Sequence, residues 1–451
     1  MDLPAVSGPV GHSAGGGTVA DRMDRLPLTW LHVAVALVAG LGFLSDLLEI
    51  ALGNVLSAVF SAPPYSAAPG QLSWLLAAMY IGAVPGALAA GWLADRFGRR
   101  AVLTGILLLL AITSLAAAAS ADIRNLILWR MVSGLAIGAY PPLMIAFLSD
   151  IMPPRRRGTV IVMTTGLASL GPVVMIFLIR SMGEHHPLGL EAWRWAFVAG
   201  SGGALLAASL FRFVPESPRW LEARGRGAEA EAAFARFGRS PAAVAGGRSD
   251  PEPAAAKPDR SATPDPRSFA TVAGIYFLTP WATVAFPVLM GAVLIQKGFA
   301  LSDSLFYVGI AMFGPALATA ASAVFLDRIE RRMALILFAC GMVGTSAAFA
   351  ASFNPVWLMA VGVLSQFLAM LYVPTMTLYA AELFPTAWRA RTSTAAWSVN
   401  RLASAIAPFV LVPLLKEHGV WPMFGVIIAT LLLGILLVAL SPEGRAGRAV
   451  D

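Results

Sequence analysis

The amino-acid sequence predicts an all-α membrane protein of twelve transmembrane helices, arranged as two six-helix bundles. Composition is the first observation, because 58% of the 451 residues are hydrophobic, only 13% are charged, and the mean hydropathy is +0.74. The second is a series of apolar runs of about 20 residues, the length of a helix that crosses a bilayer. The third observation is a set of motifs that occur twice in the chain, always with the same spacing between the copies as that between Asp95 and Asp327.

The first half of the chain contains six of these apolar runs. Residues 1–27, which include a run of three glycines, are predicted to be a disordered cytoplasmic N-terminus. The first apolar run is too long for a signal peptide and lacks a cleavage context, so it is expected to remain as helix 1. The runs of the predicted N-terminal bundle, 28–214, lie near 30–60, 72–94, 101–120, 125–147, 159–180 and 193–214.

A polar segment over 215–268 is predicted to be a cytoplasmic linker between the halves. Its start, near 216–237, is amphipathic and predicts one or two surface helices, whereas the Pro-, Ala-, Gly- and Arg-rich remainder is expected to be disordered. The C-terminal bundle is predicted over 269–440, with a cytoplasmic tail at 441–451. Its apolar runs lie near 270–296, 304–326, 333–352, 356–381, 392–414 and 420–440.

Repeated motifs give the two halves the same internal plan. Three ungapped blocks share a single offset: Asp95, Arg96, Arg99 and Arg100 recur as Asp327, Arg328, Arg331 and Arg332; Tyr140, Pro142 and Met144 as Tyr372, Pro374 and Met376; Asp150, Pro153 and Arg157 as Glu382, Pro385 and Arg389. Duplication inside a many-helix membrane protein is typical of transporters, whose site lies between the halves near the bilayer midplane.

The net charge of +7 follows the predicted topology. Most of the 32 Lys and Arg residues fall in the termini, the linker and the loops on the same side. This positive-inside bias predicts that both termini are cytoplasmic, and no nucleic-acid partner is inferred. An Ala-rich, Lys-poor composition favours a bacterial source and therefore the plasma (inner) membrane. One cysteine, Cys340, excludes an intramolecular disulfide, and no metal or cofactor is predicted.

Two loop sequences and one helix pattern are the most specific motifs. GWLADRFGRR occupies 91–100, with a weaker copy, AVFLDRIERR, at 323–332, and PESPRWL occupies 215–221. The helix 4 pattern consists of Arg130, Gly134, Gly138 and Pro142, followed by Asp150, Pro153, Arg157 and Gly158. Together they resemble the major facilitator superfamily, in its sugar-porter-like branch that includes aromatic-acid and other metabolite:proton symporters. The resemblance implies the two-bundle fold and transport, not enzymatic catalysis.

The resemblance also implies a cytoplasmic gate of loop charges. Arginine–carboxylate pairs would hold the cytoplasmic side closed and would break when that side opens. The gate residues are Asp95, Arg99, Asp150, Arg157, Glu216, Asp327, Arg331, Glu382 and Arg389. Asp150 stands where the family usually has Glu, which keeps the charge. The alternative is that these charges only set topology.

Four ionisable residues lie deep in the predicted spans: Asp46, Glu49, Arg130 and Arg401. Such residues are costly in a membrane and are functional candidates by default. Asp46 and Glu49 share one face of helix 1, and the resemblance aligns Glu49 with the proton-coupling acid of sugar:proton porters. Glu49 lies roughly 16 Å and Arg130 roughly 8 Å from the outer ends of their helices, so the two can meet. The predicted proton-coupling residues are Glu49, Asp46 and Arg130, with a structural ion pair as the alternative.

Arg401 is predicted to be the counter-ion of an anionic substrate, with packing against an unseen acid as the alternative. Other span residues are candidates for the wall of the substrate site: Asn400, Tyr80, Asn54, Trp281, Gln366, Tyr372 and Trp397. The family pattern disfavours sugar, because helix 7 lacks paired glutamines and Thr377 stands where sugar porters have tryptophan. It also disfavours drug antiport, whose helix 5 glycine motif is incomplete after Pro172.

The function predicted from sequence is proton-coupled import of a small organic anion, a carboxylate, by alternating access. The expected partners are the substrate, protons and the bilayer, and a monomer is expected. The alternatives are an uncoupled facilitator or efflux carrier, a sugar:proton symporter, and a non-transporting membrane sensor. The sequence has no Walker-type loop, so ATP drive is not predicted.

Overall fold

The protein is all-helical in the computed structural model, which describes residues 18–182, 189–240, 266–325, 330–384 and 386–441. The helices of the first half and linker are α1 Val19–Asp24, α2 Trp30–Ser61, α3 Pro69–Phe97, α4 Arg99–Ala118, α5 Ile123–Ile151, α6 Pro154–Ala168, α7 Gly171–Met182, α8 Ala192–Phe211, α9 Pro218–Ala223 and α10 Gly227–Arg239. Those of the second half are α11 Pro266–Pro280, α12 Phe286–Gln296, α13 Leu301–Ala311, α14 Phe313–Phe325, α15 Arg331–Ala351, α16 Pro355–Leu383, α17 Thr386–Pro413 and α18 Val420–Leu440.

Twelve spans in the described residues are long and apolar enough to cross a membrane, as the sequence predicts. They are α2, α3, α4, α5, α6 with α7, α8, α11 with α12, α13 with α14, α15, α16, α17 and α18. A π-helical turn at Trp281–Ala285 joins α11 to α12, between Pro280 and Pro287. Proline has no backbone N–H to donate, which explains why the regular pattern is interrupted there.

The helix boundaries repeat with the same offset as the motifs. The helix pairs α4 and α15, α5 and α16, and α6 and α17 begin at residues 99 and 331, 123 and 355, and 154 and 386, and α5 and α16 end at 151 and 383. Helices α3 and α13 begin at 69 and 301. The duplication seen in short motifs is therefore a duplication of whole helices.

The two ends of the molecule are named here by the linker. The linker side contains the beginning of α2 and the ends of α3, α5 and α8, next to α9 and α10. The opposite side contains the end of α2 and the beginnings of α3 and α5. The sequence predicts that the linker side is cytoplasmic.

Contacts between the bundles seal the opposite side. A Cβ added to Gly291 of α12 would lie 2.8 Å from the backbone oxygen of Asn54 in α2. Ser73 Oγ of α3 donates to the backbone oxygen of Pro408 in α17 at 3.0 Å. These contacts bring the two bundles together on this side in the state described.

Helices α3 and α5 pack backbone to backbone through four glycines. A Cβ at Gly82 would lie 1.9 Å from the oxygen of Met131, and a Cβ at Gly138 would lie 2.0 Å from that of Ala83. Gly86 and Gly134 leave equally little room. Small residues at a helix interface permit this approach, as the Gly134–Gly138 spacing predicts.

Part of the N-terminal segment differs from the disorder predicted for 1–27. Residues 19–24 form α1, which begins with a capping box at Thr18, and Met23 is buried. The backbone amides of Val19 and Ala20 donate to the Glu222 carboxylate at 2.9 and 3.2 Å. A linker helix supplies these contacts, which explains why local composition did not predict the order. Residues 1–17 lie outside the described residues, as do 241–265, which make up most of the predicted tether, and 442–451, most of the predicted tail.

Candidate functional site

Glu49 of α2 and Arg130 of α5 form a buried ion pair inside the N-terminal bundle. Nη1 of Arg130 lies 3.1 Å from Oε1 of Glu49 and donates to the Glu49 backbone oxygen at 3.0 Å. Both side chains are 1% exposed. Removing one partner of such a pair leaves an uncompensated charge and costs about 3–5 kcal/mol. The two residues meet as the sequence predicts, while their role in proton coupling stays a prediction.

Ser114 of α4 completes the environment of Glu49. Its hydroxyl donates to Oε2 at 3.0 Å, so both carboxylate oxygens accept a hydrogen bond. Arg130 Nη2 lies 3.3 Å from the Met79 sulfur, and Nε of Arg130 has no hydrogen-bond partner in the described residues. The pocket therefore suits an ionised Glu49 and leaves one guanidinium donor available.

Asp46 lies one turn from Glu49 and has none of its contacts. It is 0% exposed, and neither carboxylate oxygen has a hydrogen-bond partner in the described part of the chain. Further along α2, two to three turns from Asp46, Gly53, Asn54 and Ser57 approach α12. Asp46 is therefore on the face of α2 that is turned toward the other bundle. Burying a polar group without a partner is costly, so this carboxyl marks a site for a proton or a ligand.

Tyr80 of α3 and Arg401 of α17 face each other across the bundle interface. The Ser73–Pro408 hydrogen bond sets the register of these antiparallel helices. Moving about two turns toward the linker side along each helix leads to Tyr80 and Arg401. Arg401 interacts electrostatically with both Tyr80 and Asp46. The described residues contain no direct ion pair to Arg401, but Asp46 is an acid within its electrostatic range, so the counter-ion role and the packing alternative both stay predictions.

Asp46, Tyr80 and Arg401 together are called the interface cluster. The Tyr80 hydroxyl is also without a hydrogen-bond partner among the described residues, although the side chain is only 2% exposed. An acid, a phenol and a guanidinium therefore converge just below the seal, on both sides of the bundle interface. The hydrogen-bonding capacity of the acid and the phenol is unused in the described structure.

The remaining predicted substrate residues do not all join this cluster. The Trp397 ring packs edge-to-face against that of Tyr276, with 5.7 Å between the ring centroids, and the Tyr276 backbone oxygen accepts from Asn400 at 3.3 Å. This group therefore packs within the C-terminal bundle. Tyr372 is likewise buried beside Thr279 of the same bundle.

Three other predicted residues keep an unused polar atom at buried positions. The indole nitrogen of Trp281, Nε2 of Gln366 and Oδ1 of Asn54 have no partner within the described ranges. Asn54 contacts the other bundle through Nδ2, 3.9 Å from the Met312 sulfur. These three residues remain candidates for the wall of the substrate site. Separately, the described residues contain no cluster suited to a metal ion.

On the linker side, the predicted gate charges of the first half form one network. Arg99 lies 3.5 Å from both Asp95 and Asp150. Glu216 accepts the Arg100 backbone amide at 3.0 and 3.1 Å. A Cβ at Gly98 would collide with that Glu216 carboxylate, at 2.4 Å, so the turn before α4 needs glycine for space and for its φ of +101°.

Arg157 contacts a residue that the sequence did not single out. Its Nη2 lies 3.8 Å from Asp24 at the end of α1, and Asp24 also pairs closely with Arg219 of α9. Of the gate residues in the second half, Arg331 begins α15, Asp327 lies outside the described residues, and the side chains of Glu382 and Arg389 are not described. The gate assignment stays a prediction.

Sequence reasoning missed Ser114 and Asp24. A single serine in an apolar helix gives no distinctive signal, and only its contact with Glu49 in the folded bundle reveals its role. Asp24 belongs to a segment whose composition indicates disorder. Both residues act through partners that are distant in the sequence.

Twelve spans in two repeated bundles, with buried charges where the bundles meet, define a secondary transporter. The sequence model of the Major Facilitator Superfamily matches residues 38–408, and the chain belongs to this family. The chain is thus a multi-pass membrane transporter of a small molecule and not an enzyme.

Two relatives of known transport activity illustrate the range. The niacin transporter NiaP of Acinetobacter baylyi is 24% identical over 437 residues, 95% of this chain and 98% of that protein. The 3-(3-hydroxy-phenyl)propionate transporter of Escherichia coli is 34% identical over 203 residues, 44% of this chain and 47% of that protein. Among solved structures, the partially occluded inward open xylose transporter XylE of E. coli matches with a TM-score of 0.74 and 18% identity, over 93% of this chain and 99% of XylE.

Proposed function

We propose that this protein imports a small organic carboxylate together with protons across the plasma (inner) membrane, with both termini cytoplasmic. The observation that supports coupling best is the Glu49–Arg130 pair, because an ion pair at 1% exposure is a poor device for stability alone. The observation that supports an anion is Arg401, which lacks a direct carboxylate partner in the described residues and faces the bundle interface.

In this proposal, binding and protonation are linked through the charges at the interface. A substrate carboxylate binds Arg401, while a proton on Glu49 neutralises the acid and weakens its pairing with Arg130. A substrate carboxylate neutralises Arg401 for the occluded state, in which water is absent, and protonated Glu49 still accepts a hydrogen bond from Arg130. Each ligand then increases the affinity for the other, as linkage requires.

The relatives support the substrate class without fixing the substrate. NiaP is a niacin transporter and the E. coli relative carries 3-(3-hydroxy-phenyl)propionate, and both compounds contain a carboxyl group. Other relatives, such as the arabinose-proton symporter of Bacillus subtilis, 30% identical over 46% of this chain, carry a sugar with protons. Proton coupling is thus compatible with the relatives, and the half-buried Arg401 at the bundle interface favours the acids.

The experiment is uptake into proteoliposomes that contain the purified protein. Labelled nicotinate and a panel of small carboxylates are added with an imposed pH gradient, alkaline inside, and xylose and arabinose serve as sugar controls. We expect accumulation above the external concentration, abolished by a protonophore. Equilibration without accumulation would favour an uncoupled facilitator. Binding of a carboxylate without any flux would favour a sensor, and uptake of sugar alone would contradict the anion proposal.

A further inference from the structure

The interface cluster contains two charged groups of opposite sign, and neither has an ion-pair partner in the described structure. Asp46 and Arg401 interact electrostatically, yet their charged atoms are beyond the 4.0 Å of a direct ion pair. Asp46 is 0% exposed and belongs to the first bundle, whereas Arg401 belongs to the second. An acid and a guanidinium, each without a direct partner in the described residues, therefore lie within electrostatic range of each other across the bundle interface.

A carboxylate ligand on Arg401 satisfies only half of this cluster. Arg401 offers a planar fork of donors that matches a carboxylate. Asp46 would still be left without a hydrogen bond, and a buried acid in that condition costs free energy whether it is ionised or protonated. A second polar group on the ligand relieves that cost: a hydroxyl or amine donates to an ionised Asp46, and a ring nitrogen accepts from a protonated Asp46. The Tyr80 hydroxyl, also unpartnered in the described residues, lies within electrostatic range of the same guanidinium.

We infer that Asp46 is a specificity-determining residue, and that the site selects small monocarboxylates bearing a second hydrogen-bonding group, which Asp46 binds while Arg401 binds the carboxylate. This inference rests on the proposed function, since it assumes transport of a carboxylate. The inference gives the two acids of α2 different roles. Glu49, which has partners in the protein, binds the proton, whereas Asp46, which has none in the described residues, binds the ligand. Sites built to hydrogen-bond a polar substituent reject analogues that lack it.

Ligand-dependent stabilisation of the purified protein tests this assignment. The probes are 3-hydroxybenzoate and nicotinate, with benzoate as the carboxylate that lacks a second polar group and 3-hydroxybenzyl alcohol as the probe that lacks the carboxylate. We expect both of the first two probes to bind more tightly than benzoate, and 3-hydroxybenzoate by at least about tenfold, in line with a hydrogen bond from its hydroxyl to a charged carboxylate. Titrations by thermal shift give the apparent affinities.

Two variants assign the contacts. Asp46→Ala is expected to bind 3-hydroxybenzoate and benzoate with equal affinity, while its ligand-free unfolding temperature stays the same or rises, because an unpartnered buried acid is removed. Arg401→Gln is expected to weaken both acids without changing binding of the alcohol. Asp303→Ala, at an exposed acid of α13, is the matched control and should behave as the parent.

The outcomes separate this inference from the proposed function. If Asp46→Ala keeps the parent's preference for 3-hydroxybenzoate over benzoate, Asp46 does not bind the second polar group of the ligand and the inference is wrong. If instead the preference disappears but a proton gradient drives no accumulation, the inference stands and the coupling proposal fails. If none of the carboxylate probes binds the parent, both fail. A ligand-free Asp46→Ala that is much less stable than the parent would show a structural role and would also overturn the inference.

Discussion

At the residue scale, Glu49 is distinguished by the number of groups that contact its carboxylate. A guanidinium, a hydroxyl and the surrounding apolar helices fix one carboxylate in one geometry. Asp46 lies one turn away on the same helix, and its carboxylate has no hydrogen-bond partner in the described residues. Two acids of one helix thus differ in environment, which is how one protein gives two carboxyl groups different tasks.

Glu49→Gln is expected to bind and exchange substrate but to lose accumulation driven by a proton gradient. Glutamine imitates the protonated acid and keeps an acceptor for Arg130, so the occluded state stays accessible while no proton is carried. The measurement compares counterflow with gradient-driven uptake in the same liposomes. Arg130→Ala is expected to differ, with a loss of activity that depends on pH because Glu49 loses its positive neighbour. Parent-like accumulation by Glu49→Gln would leave the pair with a structural role only.

Glu191, on the side opposite the linker, is expected to contribute stability that is lost in acid. Burial alone would raise the pKa of Glu191, but hydrogen bonds from Tyr65 and Arg194 outweigh burial and hold this pKa below the usual 4.5. The contribution is therefore complete above pH 4.5 and falls as the pH drops through the pKa of the folded state. The difference in unfolding temperature between parent and Glu191→Gln should be constant above that pH and shrink below it. Tyr65→Phe should reproduce part of the effect, and a pH-independent difference would contradict this account.

At the element scale, α1 connects three parts of the linker side. It binds Glu222 of α9 through its backbone amides, Arg22 stacks at 4.2 Å on Phe234 of α10, and Asp24 reaches Arg157 of α6. Arg157 is one of the residues for which the family resemblance implies a role in the cytoplasmic gate. In the state described here, α1 pairs with that arginine through Asp24.

Asp24→Asn is therefore expected to shift the protein toward the state that is open on the side opposite the linker. Partly exposed pairs are worth up to about 1 kcal/mol, so the shift should be about two- to fivefold. A cysteine at Ser57, buried at the seal, reports opening by its labelling rate once Cys340 is replaced by serine. Asp21→Asn, on the same helix but without contact to Arg157, is the control. An unchanged rate in Asp24→Asn would remove α1 from the conformational balance.

The helix ends on the opposite side show how the two repeats are stabilised by different residues. In the first half, Nη1 of Arg194 donates to the backbone oxygens of Ala118 and Ser120 at 2.7 Å each. In the second half, Nζ of Lys297 donates to the oxygens of Ala350 and Ser352, which are the equivalent positions of the repeat. A cation suits a helix C-terminus, and here it comes from a different place in each half.

At the scale of the whole molecule, the seal and the charge network must alternate. Glu382→Gln is expected to lower the labelling rate of a cysteine at Ser57, because it removes a predicted pair that exists only when the linker side is closed. Arg157→Gln should act in the same direction but more weakly, since Arg157 also pairs with Asp24 in the state described. The two variants and Asp24→Asn thus give opposite shifts in one assay. If Glu382→Gln raises labelling or leaves it unchanged, the cross-bundle gate is wrong.

The sequence predicts well the features that repeat between the halves and the features that a lipid bilayer requires, such as the length of the spans. Spans follow from the length of apolar runs, and the constant offset between the halves follows from motifs such as those at Asp95 and Tyr140. The meeting of Glu49 and Arg130 was predictable, because few charges in a membrane leave few choices of partner. The docking of α1 and the caps by Arg194 and Lys297 were not. These contacts join segments that are distant in the sequence, so they cannot be predicted from periodicity or composition.

The glycine contacts between α3 and α5 also have a mechanical consequence. With no side-chain layer between them at these glycines, the two helices interlock, and we expect them to move as one unit. One end of this unit contacts Pro408 through Ser73, and the other end holds Asp95 and Asp150 near Arg99. A displacement of the unit where the seal opens is then expected to displace the charge network at its other end, which couples the two gates mechanically.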